Sequence, residues 1–217
     1  MKRIIFFLTL CFFFSSQAKA EASKSFDLKK LEEKYKNTES LEADFTQEVY
    51  QVTLARTKTS NGTISLAKPN RVRWETIKPD PNIMVSNGSK LWFYTPAIDS
   101  KGKAQILEGS VKELIRQPIY QILTGKAKLN KEFIIEKIEK PSPELTQLEL
   151  KPRKSVADTK VVFLTVDAKY LITEVLIHHL RGNKTKISLQ NTKLGAKLPS
   201  QLFNFKPPAG SDVIQGQ

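Results

Sequence analysis

The chain has 217 residues, of which 40% are hydrophobic and 26% are charged, and its formal net charge is +13. This balance excludes an intrinsically disordered chain, and the length suits one globular domain with a sizeable core. The only cysteine is Cys11, which excludes an intramolecular disulfide.

The first twenty residues have the organisation of an export signal. Lys2 and Arg3 precede an apolar run, Ile4–Phe14, and Ala18-Lys19-Ala20 is a small-x-small cleavage site. The apolar run is too short to span a membrane, so the pattern predicts a cleaved signal peptide over residues 1–20. We therefore expect a single mature domain over residues 21–217.

Cys11 lies inside this predicted signal peptide, preceded by Leu10 rather than by a small residue, so the pattern does not favour lipidation. Once Cys11 is removed with the signal peptide, the mature chain has no thiol that could form a disulfide, act as a nucleophile or bind a metal. Export without disulfides is typical of a soluble bacterial periplasmic protein.

The mature chain is basic. Removal of Lys2, Arg3 and Lys19 leaves 32 basic and 22 acidic residues, a net charge of +10. Such a charge favours either an anionic partner, such as lipid headgroups or an acidic protein, or simply a well-solvated surface. The basic residues are dispersed, which favours the second interpretation, and no nucleic-acid-binding motif is present.

The predicted elements begin with an amphipathic helix. Ser25–Asn37 places Leu28, Leu31 and Tyr35 at helical spacing, and Asp27 can cap its start. Residues 41–49 then alternate apolar and polar side chains, which predicts a half-buried strand. The polar segment Leu54–Ser60 follows and is expected to continue to a hairpin turn at Asn61-Gly62.

The next stretch, residues 61–96, predicts a run of strands rich in aromatic side chains. Later in the chain, Ser110–Thr124 has an apolar stripe that Pro118 should divide into two short helices or kink. Further strands are expected from residue 133 onward, ending with a short one around Phe203 and Phe205. The predicted strands not yet given are Thr63–Ala67, Val72–Thr76, Ile83–Ser86, Leu91–Tyr94, Phe133–Ile138, Leu145–Leu150, Val161–Val166, Ile172–Leu180 and Thr185–Gln190.

Strands joined by hairpin-length turns predict an antiparallel meander. Nine to eleven such strands, with two or three helices, indicate an α+β class in which β structure dominates. A strongly curved sheet with the helices on its concave face would bury both apolar helical stripes.

The pattern offers little catalytic chemistry. His178 and His179 are adjacent on a predicted strand, so their side chains point to opposite faces, one expected to face the core and one expected at the surface. None of the nucleophile-elbow, phosphate-loop, zinc-protease or dinucleotide motifs occurs. We therefore expect neither an enzyme nor a bound metal or cofactor.

Binding is the remaining possibility. Ile64, Leu66, Trp74, Leu91 and Phe93 occupy positions that can share one face of the sheet. They would line a cavity for acyl chains or other apolar ligands, or else form an ordinary core beneath the helices. Periodicity alone leaves both interpretations open.

Particular segments of the chain resemble the periplasmic outer-membrane lipoprotein carrier (LolA) family. The resemblance covers the mature chain in order and is most specific between residues 68 and 96; between residues 125 and 197 only the strand pattern matches. The matching segments are Asp27-Leu28-Lys29, Phe45-Thr46-Gln47, Lys68-Pro69-Asn70, Arg73-Trp74, Lys78-Pro79-Asp80, Val85-Ser86-Asn87-Gly88, Leu91–Pro96, Phe203–Phe205 and Pro207–Gly210.

The resemblance implies an unclosed antiparallel half-barrel of about eleven strands with two to three helices as a lid. It also implies a monomeric carrier that binds the acyl chains of lipoproteins released by an inner-membrane ABC-type complex and delivers them to an outer-membrane receptor. Val72 would contact a partner. The implied cavity residues are Leu28, Leu31, Phe45, Ile64, Leu66, Trp74, Leu91, Phe93, Leu114 and Ile122.

One position departs from the family. In the best-known carriers an arginine before the Pro-Asn step binds the lid and holds the empty cavity closed, whereas this chain has Lys68. Lysine keeps the charge but lacks the planar guanidinium group. We expect a looser lid, or a latch supplied elsewhere, with Arg71 and Arg73 as candidates; an exposed lysine without a latch role is the alternative.

Three other functions remain open on the sequence. An outer-membrane receptor of the related LolB type has the same fold but needs a lipidated cysteine, and Cys11 is poorly placed for that. A carrier or sensor of another lipid or glycolipid fits the same cavity. An exported enzyme is disfavoured by the missing motifs.

Overall fold

The computed structural model describes residues 26–97, 99, 102–156 and 158–215. The predicted signal peptide, Cys11 and the predicted start of the mature domain lie outside these residues. No helix in the described ranges is both long enough and apolar enough to cross a membrane.

Four short α-helices and twelve strands make up the described fold. The helices are α1 (Leu28–Lys36), α2 (Val111–Arg116), α3 (Pro118–Leu123) and α4 (Leu129–Glu132), with 3₁₀ turns at Val52–Leu54 and Ser200–Phe203. The strands are β1 (Ser40–Gln51), β2 (Arg56–Ala67), β3 (Arg71–Lys78), β4 (Asn82–Asn87), β5 (Leu91–Thr95), β6 (Gln105–Gly109), β7 (Phe133–Ser142), β8 (Leu145–Pro152), β9 (Thr159–Asp167), β10 (Ile172–His179), β11 (Lys184–Leu194) and β12 (Asp212–Gln215).

All twelve strands belong to one unclosed sheet. Its order is β12-β6-β5-β4-β3-β2-β1-β11-β10-β9-β8-β7, so β12 and β7 are the two edges. Every neighbouring pair is antiparallel except β12 with β6. The predicted β-dominant half-barrel of about eleven strands is confirmed, with one strand more.

The helices cover one face of the sheet, which we call the inner face. In α1, Leu31 and Tyr35 are buried, and the Tyr35 hydroxyl accepts a hydrogen bond of 2.8 Å from the backbone N–H of Ile172 in β10. Asp27 caps this helix by accepting from the N–H of Lys30 at 3.1 Å. These contacts join α1 to the half of the sheet that contains β9 and β10.

The second helical stripe is broken as predicted. Gln117, between α2 and α3, has extended backbone angles (φ −67°, ψ 127°), and Pro118 begins α3. Proline lacks an N–H and fits the first position of a helix, so a new helix starts where the first cannot continue. The break lets two short helices follow the curve of the sheet.

The predicted turn at Asn61-Gly62 is wrong. Both residues lie inside β2, opposite Thr46 and Phe45 of β1, and the hairpin between β1 and β2 turns at residues 52–55. A Cβ on Gly62 would lie 1.8 Å from the carbonyl oxygen of Glu75 and 3.0 Å from the Phe45 ring. Glycine is required here because the β3 backbone and the Phe45 ring approach too closely for a side chain.

The predicted strand around Phe203 and Phe205 is also wrong. Phe203 ends the second 3₁₀ turn, and the last strand is β12, which pairs with β6, a strand that the sequence pattern did not predict. Residues 195–211 cross the outer face of the sheet, where the Phe205 ring lies 6.0 Å from that of Trp92 and 5.5 Å from that of Tyr94. This C-terminal strap buries aromatic area that would otherwise be exposed.

Candidate functional site

The inner face contains a cavity of about 270 Å³ between the strands β2–β5 and the helices α2 and α3. Because strand side chains alternate between faces, every second residue of these strands points inward. The lining residues are Ile64, Leu66, Val72, Trp74, Met84, Leu91, Phe93, Glu113, Leu114, Gln117, Ile119, Tyr120 and Leu123. Glu113 and Gln117 are its only fully polar members, so the chamber suits a hydrocarbon.

A second, more open chamber of about 500 Å³ adjoins the first. The two chambers adjoin along five residues that line both: Trp74, Met84, Phe93, Gln117 and Ile119. The remaining walls are largely polar: Gln47, Val49, Lys58, Ser60, Thr76, Pro79, Asp80, Asn82, Ile177, His179, Thr185 and Ile187. An apolar chamber that opens through a polar mouth can hold a hydrocarbon chain and leave an attached polar group in water.

Six of the ten cavity residues expected from the sequence line the apolar chamber. They are Ile64, Leu66, Trp74, Leu91, Phe93 and Leu114. Phe45 lies beside this wall on the inner face, with its ring centroid 4.8 Å from that of Trp74. Leu31 and Ile122 border a separate space of about 10 Å³, and Leu28 is half-buried against the core.

Val72, expected to contact a partner, is 1% exposed and lies in the wall of the apolar chamber. A partner can reach its side chain only if the chamber opens. The contact stays a prediction.

Besides Val72, six lining residues were not identified from the sequence: Met84, Glu113, Gln117, Ile119, Tyr120 and Leu123. Ile119 and Leu123 were within the predicted apolar stripe of residues 110–124, and Met84 alternates in step with the chamber wall. The available signal was the helical stripe, but periodicity does not show which part of a stripe faces a cavity.

The turn between β2 and β3, residues 68–70, forms the lip of the cavity, and Lys68 joins this lip to α1. Its ammonium group donates hydrogen bonds to the backbone carbonyls of Tyr35 (3.3 Å) and Lys36 (2.5 Å), in the last turn of α1. The last carbonyls of a helix have no partner within the helix and carry partial negative charge, so a cation is favourable there. The lysine therefore fixes the end of α1 to the turn between β2 and β3.

Asn70, in the same turn, joins the lip to α3. Its side-chain oxygen accepts hydrogen bonds from the hydroxyl of Tyr120 (3.2 Å) and from the ammonium group of Lys126. The backbone of Asn70 has φ 57°, a left-handed conformation that asparagine tolerates well. Tyr120 also lines the chamber, so this contact closes the roof directly over the site.

The electrostatics of this contact reflect burial. Burial raises the pKa of Tyr120 to about 12, an effect opposed by the backbone of Asn70. Burial, and then the nearby charge of Lys68, lower the pKa of Lys126. The phenol of Tyr120 therefore keeps its proton near neutral pH.

The two arginines considered as latches lie elsewhere. Arg71 donates to the carbonyl of Lys68 at 2.8 Å, and its guanidinium lies 5.5 Å from the centroid of the Phe203 ring. Arg73 forms an ion pair with Glu75 at 2.8 Å. Since Val72 and Trp74 face inward, both arginines point to the outer face, away from α1–α3.

His178 and His179 occupy opposite faces, as predicted: His179 faces the inner side, where it lines the second chamber, and both side chains are half-buried. The His178 ring packs 5.1 Å from that of Phe163, and burial lowers its pKa. The His179 Nε2 lies 3.0 Å from the Thr185 hydroxyl in the wall of the second chamber.

Comparison with known proteins places this arrangement in a family. The profile described as "Outer membrane lipoprotein carrier protein LolA" matches residues 36–206. An outer-membrane lipoprotein carrier protein of Dechloromonas aromatica is 28% identical over 179 residues, which is 82% of this chain and 83% of the relative. One from Methylococcus capsulatus is 27% identical over 206 residues, or 95% of this chain and 93% of the relative.

Among solved structures, a LolA superfamily protein from Nitrosomonas europaea aligns with 83% of this chain and 99% of its own, at 12% identity and a TM-score of 0.43. The family assignment depends on the sequence match, which covers most of the chain. The chain belongs to the outer membrane lipoprotein carrier protein LolA family.

Proposed function

We propose that this protein binds the acyl chains of lipoproteins in the apolar chamber and carries them through the periplasm to the outer membrane. The observation that carries this proposal is a hydrocarbon-lined chamber that opens through a polar mouth, in a chain of the LolA family. An inner-membrane ABC-type releasing complex would load the carrier, and an outer-membrane receptor would unload it. The carrier acts as a monomer, without catalysis or cofactor.

Physical chemistry supports a carrier of this design. Burial of each methylene contributes about 0.8 kcal/mol, so even one acyl chain cannot cross water unshielded at reasonable cost. Small-ligand pockets usually measure roughly 300–1,000 Å³. The apolar chamber, at about 270 Å³, lies just below that range. Larger cargo therefore requires outward movement of α2 and α3.

Native mass spectrometry of the full chain, purified from periplasm in which a triacylated lipoprotein is co-produced, tests the proposal. The expected result is a one-to-one complex with the lipoprotein. A free lipid or glycolipid in the chamber would favour the second candidate function, a carrier of another lipid. An empty protein under these conditions would contradict both.

A matched pair of variants ties binding to the chamber. Phe93→Glu places a carboxylate in the wall shared by both chambers, whereas Ile77→Glu places one on the outer side of β3, where the side chain is 50% exposed. Phe93 is 38% exposed, and a bound acyl chain would cover a carboxylate there and leave it buried and unpaired. Because such a charge is costly, we expect Phe93→Glu to weaken lipoprotein binding roughly tenfold or more. Equal binding by the two variants would show that the acyl chains bind elsewhere.

We also propose that Lys68 acts on the lid through α1. Lys68→Arg keeps a cation that can reach the carbonyls of Tyr35 and Lys36, whereas Lys68→Leu removes it. The arginine variant should release lipoprotein more slowly than the leucine variant, as measured by transfer to a purified acceptor. Unchanged binding and release in both would contradict this role.

A further inference from the structure

Three of the large apolar side chains exposed in the described chain lie at the tips of two neighbouring hairpins. Val52 and Leu54 are 43% and 57% exposed at the β1–β2 turn, and Leu180 is 60% exposed at the β10–β11 turn. We call residues 51–56 and 179–184 the rim tips. Isolated exposed leucines are ordinary on protein surfaces, so their grouping requires closer inspection.

The rim tips form one surface. Strands β1 and β11 are paired, with Tyr50 opposite Lys184. Beyond that pair, the backbone N–H of Val52 donates to the Asn183 side chain at 3.0 Å. The Val52 side chain lies so close to Gly182 that a Cβ on that glycine would be 3.6 Å from it. The two turns therefore present their apolar side chains together.

The same surface is basic. The rim tips contain Arg56, Arg181 and Lys184 and no aspartate or glutamate. All three are exposed, and within the described ranges none of them forms a salt bridge. Further along the same strands, Lys58 and Lys186 are paired with Asp80 and Glu48. Positive charge is thus left unneutralised where the apolar side chains protrude.

The rim tips border the mouth of the site. His179 belongs to them, and Val49, Lys58 and Thr185, close to them on the same strands, line the second chamber. A surface in contact with the rim tips would therefore lie beside the opening through which a ligand passes.

We propose that the rim tips dock this protein, mouth first, on the surface of a bilayer that contains anionic phospholipid. Leu54, Leu180 and Val52 enter the boundary between headgroups and acyl chains, while the three cations contact lipid phosphates. A protein partner is the less suitable occupant, because protein interfaces are enriched in Tyr, Trp, Phe, Met and Arg, and of these the rim tips contain only arginine, which also binds lipid phosphate. With only three cations and three aliphatic side chains, the contact is weak and reversible.

The benefit of this contact rests on the proposed function. If the chambers carry acyl chains, docking places their opening against the layer that the chains leave or enter, and shortens the path through water. The docking itself requires no cargo, so the two proposals can fail separately.

Flotation of the cargo-free full chain with vesicles of phosphatidylcholine, with and without phosphatidylglycerol, tests the docking. We expect binding only when phosphatidylglycerol is present, and weaker binding at higher salt because the charges are screened. The variant Arg56→Gln/Arg181→Gln/Lys184→Gln should bind roughly fivefold more weakly for each charge removed. Absence of binding to anionic vesicles, or a triple variant equal to wild type, would overturn the proposal.

A control with the same loss of charge tests whether the position matters. Lys90, Lys169 and Lys197 are exposed at the opposite end of the strands. Their combined change to glutamine should leave vesicle binding within about twofold of wild type, because these cations lie away from the docked surface. An equal loss in both triple variants would indicate general charge attraction and would overturn docking through the rim tips.

The apolar part needs its own variant. Leu54→Ser/Leu180→Ser keeps all charges and should also weaken vesicle binding. This double variant and the Arg56→Gln/Arg181→Gln/Lys184→Gln variant should both retain the wild-type unfolding temperature, because the changed side chains are exposed.

Binding only to vesicles that contain membrane proteins would instead assign the rim tips to a protein partner. Lipoprotein binding, measured in parallel by native mass spectrometry, should persist in both variants. Its loss in wild type would contradict the carrier function and leave the docking result unaffected.

Discussion

Asn70 is the residue that connects the lip of the cavity to its roof. Its side chain is held by Tyr120 and Lys126, while Ser86 donates to its backbone carbonyl at 2.8 Å. Lys68, two residues earlier, contacts α1. Where the family resemblance implies one arginine, this structure has two separate contacts, from Lys68 to α1 and from Asn70 to α3.

This division could not be predicted from the sequence. The resemblance directed attention to position 68 and, through charge, to Arg71 and Arg73. Alternation along β3 turns both arginines to the outer face, and the donor that reaches the turn is a tyrosine fifty positions later in the chain. A neutral hydrogen bond between distant residues leaves no local pattern.

Tyr120→Phe removes the hydroxyl that Asn70 accepts and leaves the ring in the chamber wall. We expect loss of about 1 kcal/mol of net stabilisation of the closed lid, the usual contribution of one hydrogen bond. Hydrogen exchange of the α3 amides should accelerate, and release of bound lipoprotein should become faster. Tyr94→Phe, on the outer face beside Phe205, is the matched control and should change neither. Equal α3 exchange in wild type and Tyr120→Phe would show that the bond does not restrain the lid.

The same hydroxyl should be visible in an alkaline titration. Burial raises the pKa of Tyr120 to about 12 from a usual value of 10, so the folded state favours the protonated phenol. Its contribution to stability is complete below pH 10 and is lost as the pH rises through about 12. The difference in phenolate absorbance between wild type and Tyr120→Phe should therefore appear near pH 12. A difference appearing near pH 10 would contradict a closed, buried Tyr120.

Among the secondary-structure elements, the predictions were right where a residue type has a single effect on the local backbone. Pro118 ended α2 and began α3, and Asp27 capped α1, because both effects act within one turn. The prediction of a turn at Asn61-Gly62 was wrong because glycine occurs both in turns and where two backbones approach closely. Strand β12 was missed because its four residues are exposed and its partner β6 is over one hundred positions away.

Gly62→Ala tests the close approach inside the sheet. The added methyl group would meet the Glu75 carbonyl at 1.8 Å, and backbone cannot move aside as a flexible side chain can. We expect destabilisation of about 3 kcal/mol or more in chemical unfolding, above the usual range for overpacking. Gly102→Ala is the control, since its new Cβ would be no closer than 3.4 Å to any neighbour. Similar midpoints for both variants would show that β2 and β3 are farther apart than described.

For the whole molecule, the cavity lies within half of the sheet. Strands β2–β5 with α2 and α3 enclose the apolar chamber, whereas β8 and β9 contribute to a filled core, with Leu148, Leu150, Val162 and Leu164 fully buried. The sequence predicted the unclosed sheet and its helices, yet it left core and cavity undecided. The surface of a filled core and the wall of a cavity are both apolar and have the same sequence period. They differ only in the distance between the helices and the sheet, which the sequence does not show.

Binding of cargo should stabilise the whole fold. A ligand at a hundred times its dissociation constant contributes about 2.7 kcal/mol, which corresponds to roughly 5–10 °C in the unfolding temperature of a domain this size. Calorimetry with a triacylated lipopeptide should show this rise for wild type and for Ile77→Glu, and a much smaller one for Phe93→Glu. A rise of equal size in all three would place the lipopeptide outside the chamber.

The position of β1 beside β11 also has a consequence for the order in which the protein is assembled. Leu41 is opposite Leu194, so the central pair of the sheet joins the beginning of the described chain to its end. The strands β1–β6 and β7–β11 each form a meander from neighbours in sequence, but the two cannot be joined until nearly the whole chain is available. Until then one side of β1 presents unpaired N–H and C=O groups, which readily pair with other chains. Because synthesis proceeds from the N-terminus, β1 is made long before β11, and this edge stays unpaired until β11 is available. The chain therefore needs protection from aggregation for almost the entire time of its synthesis and release.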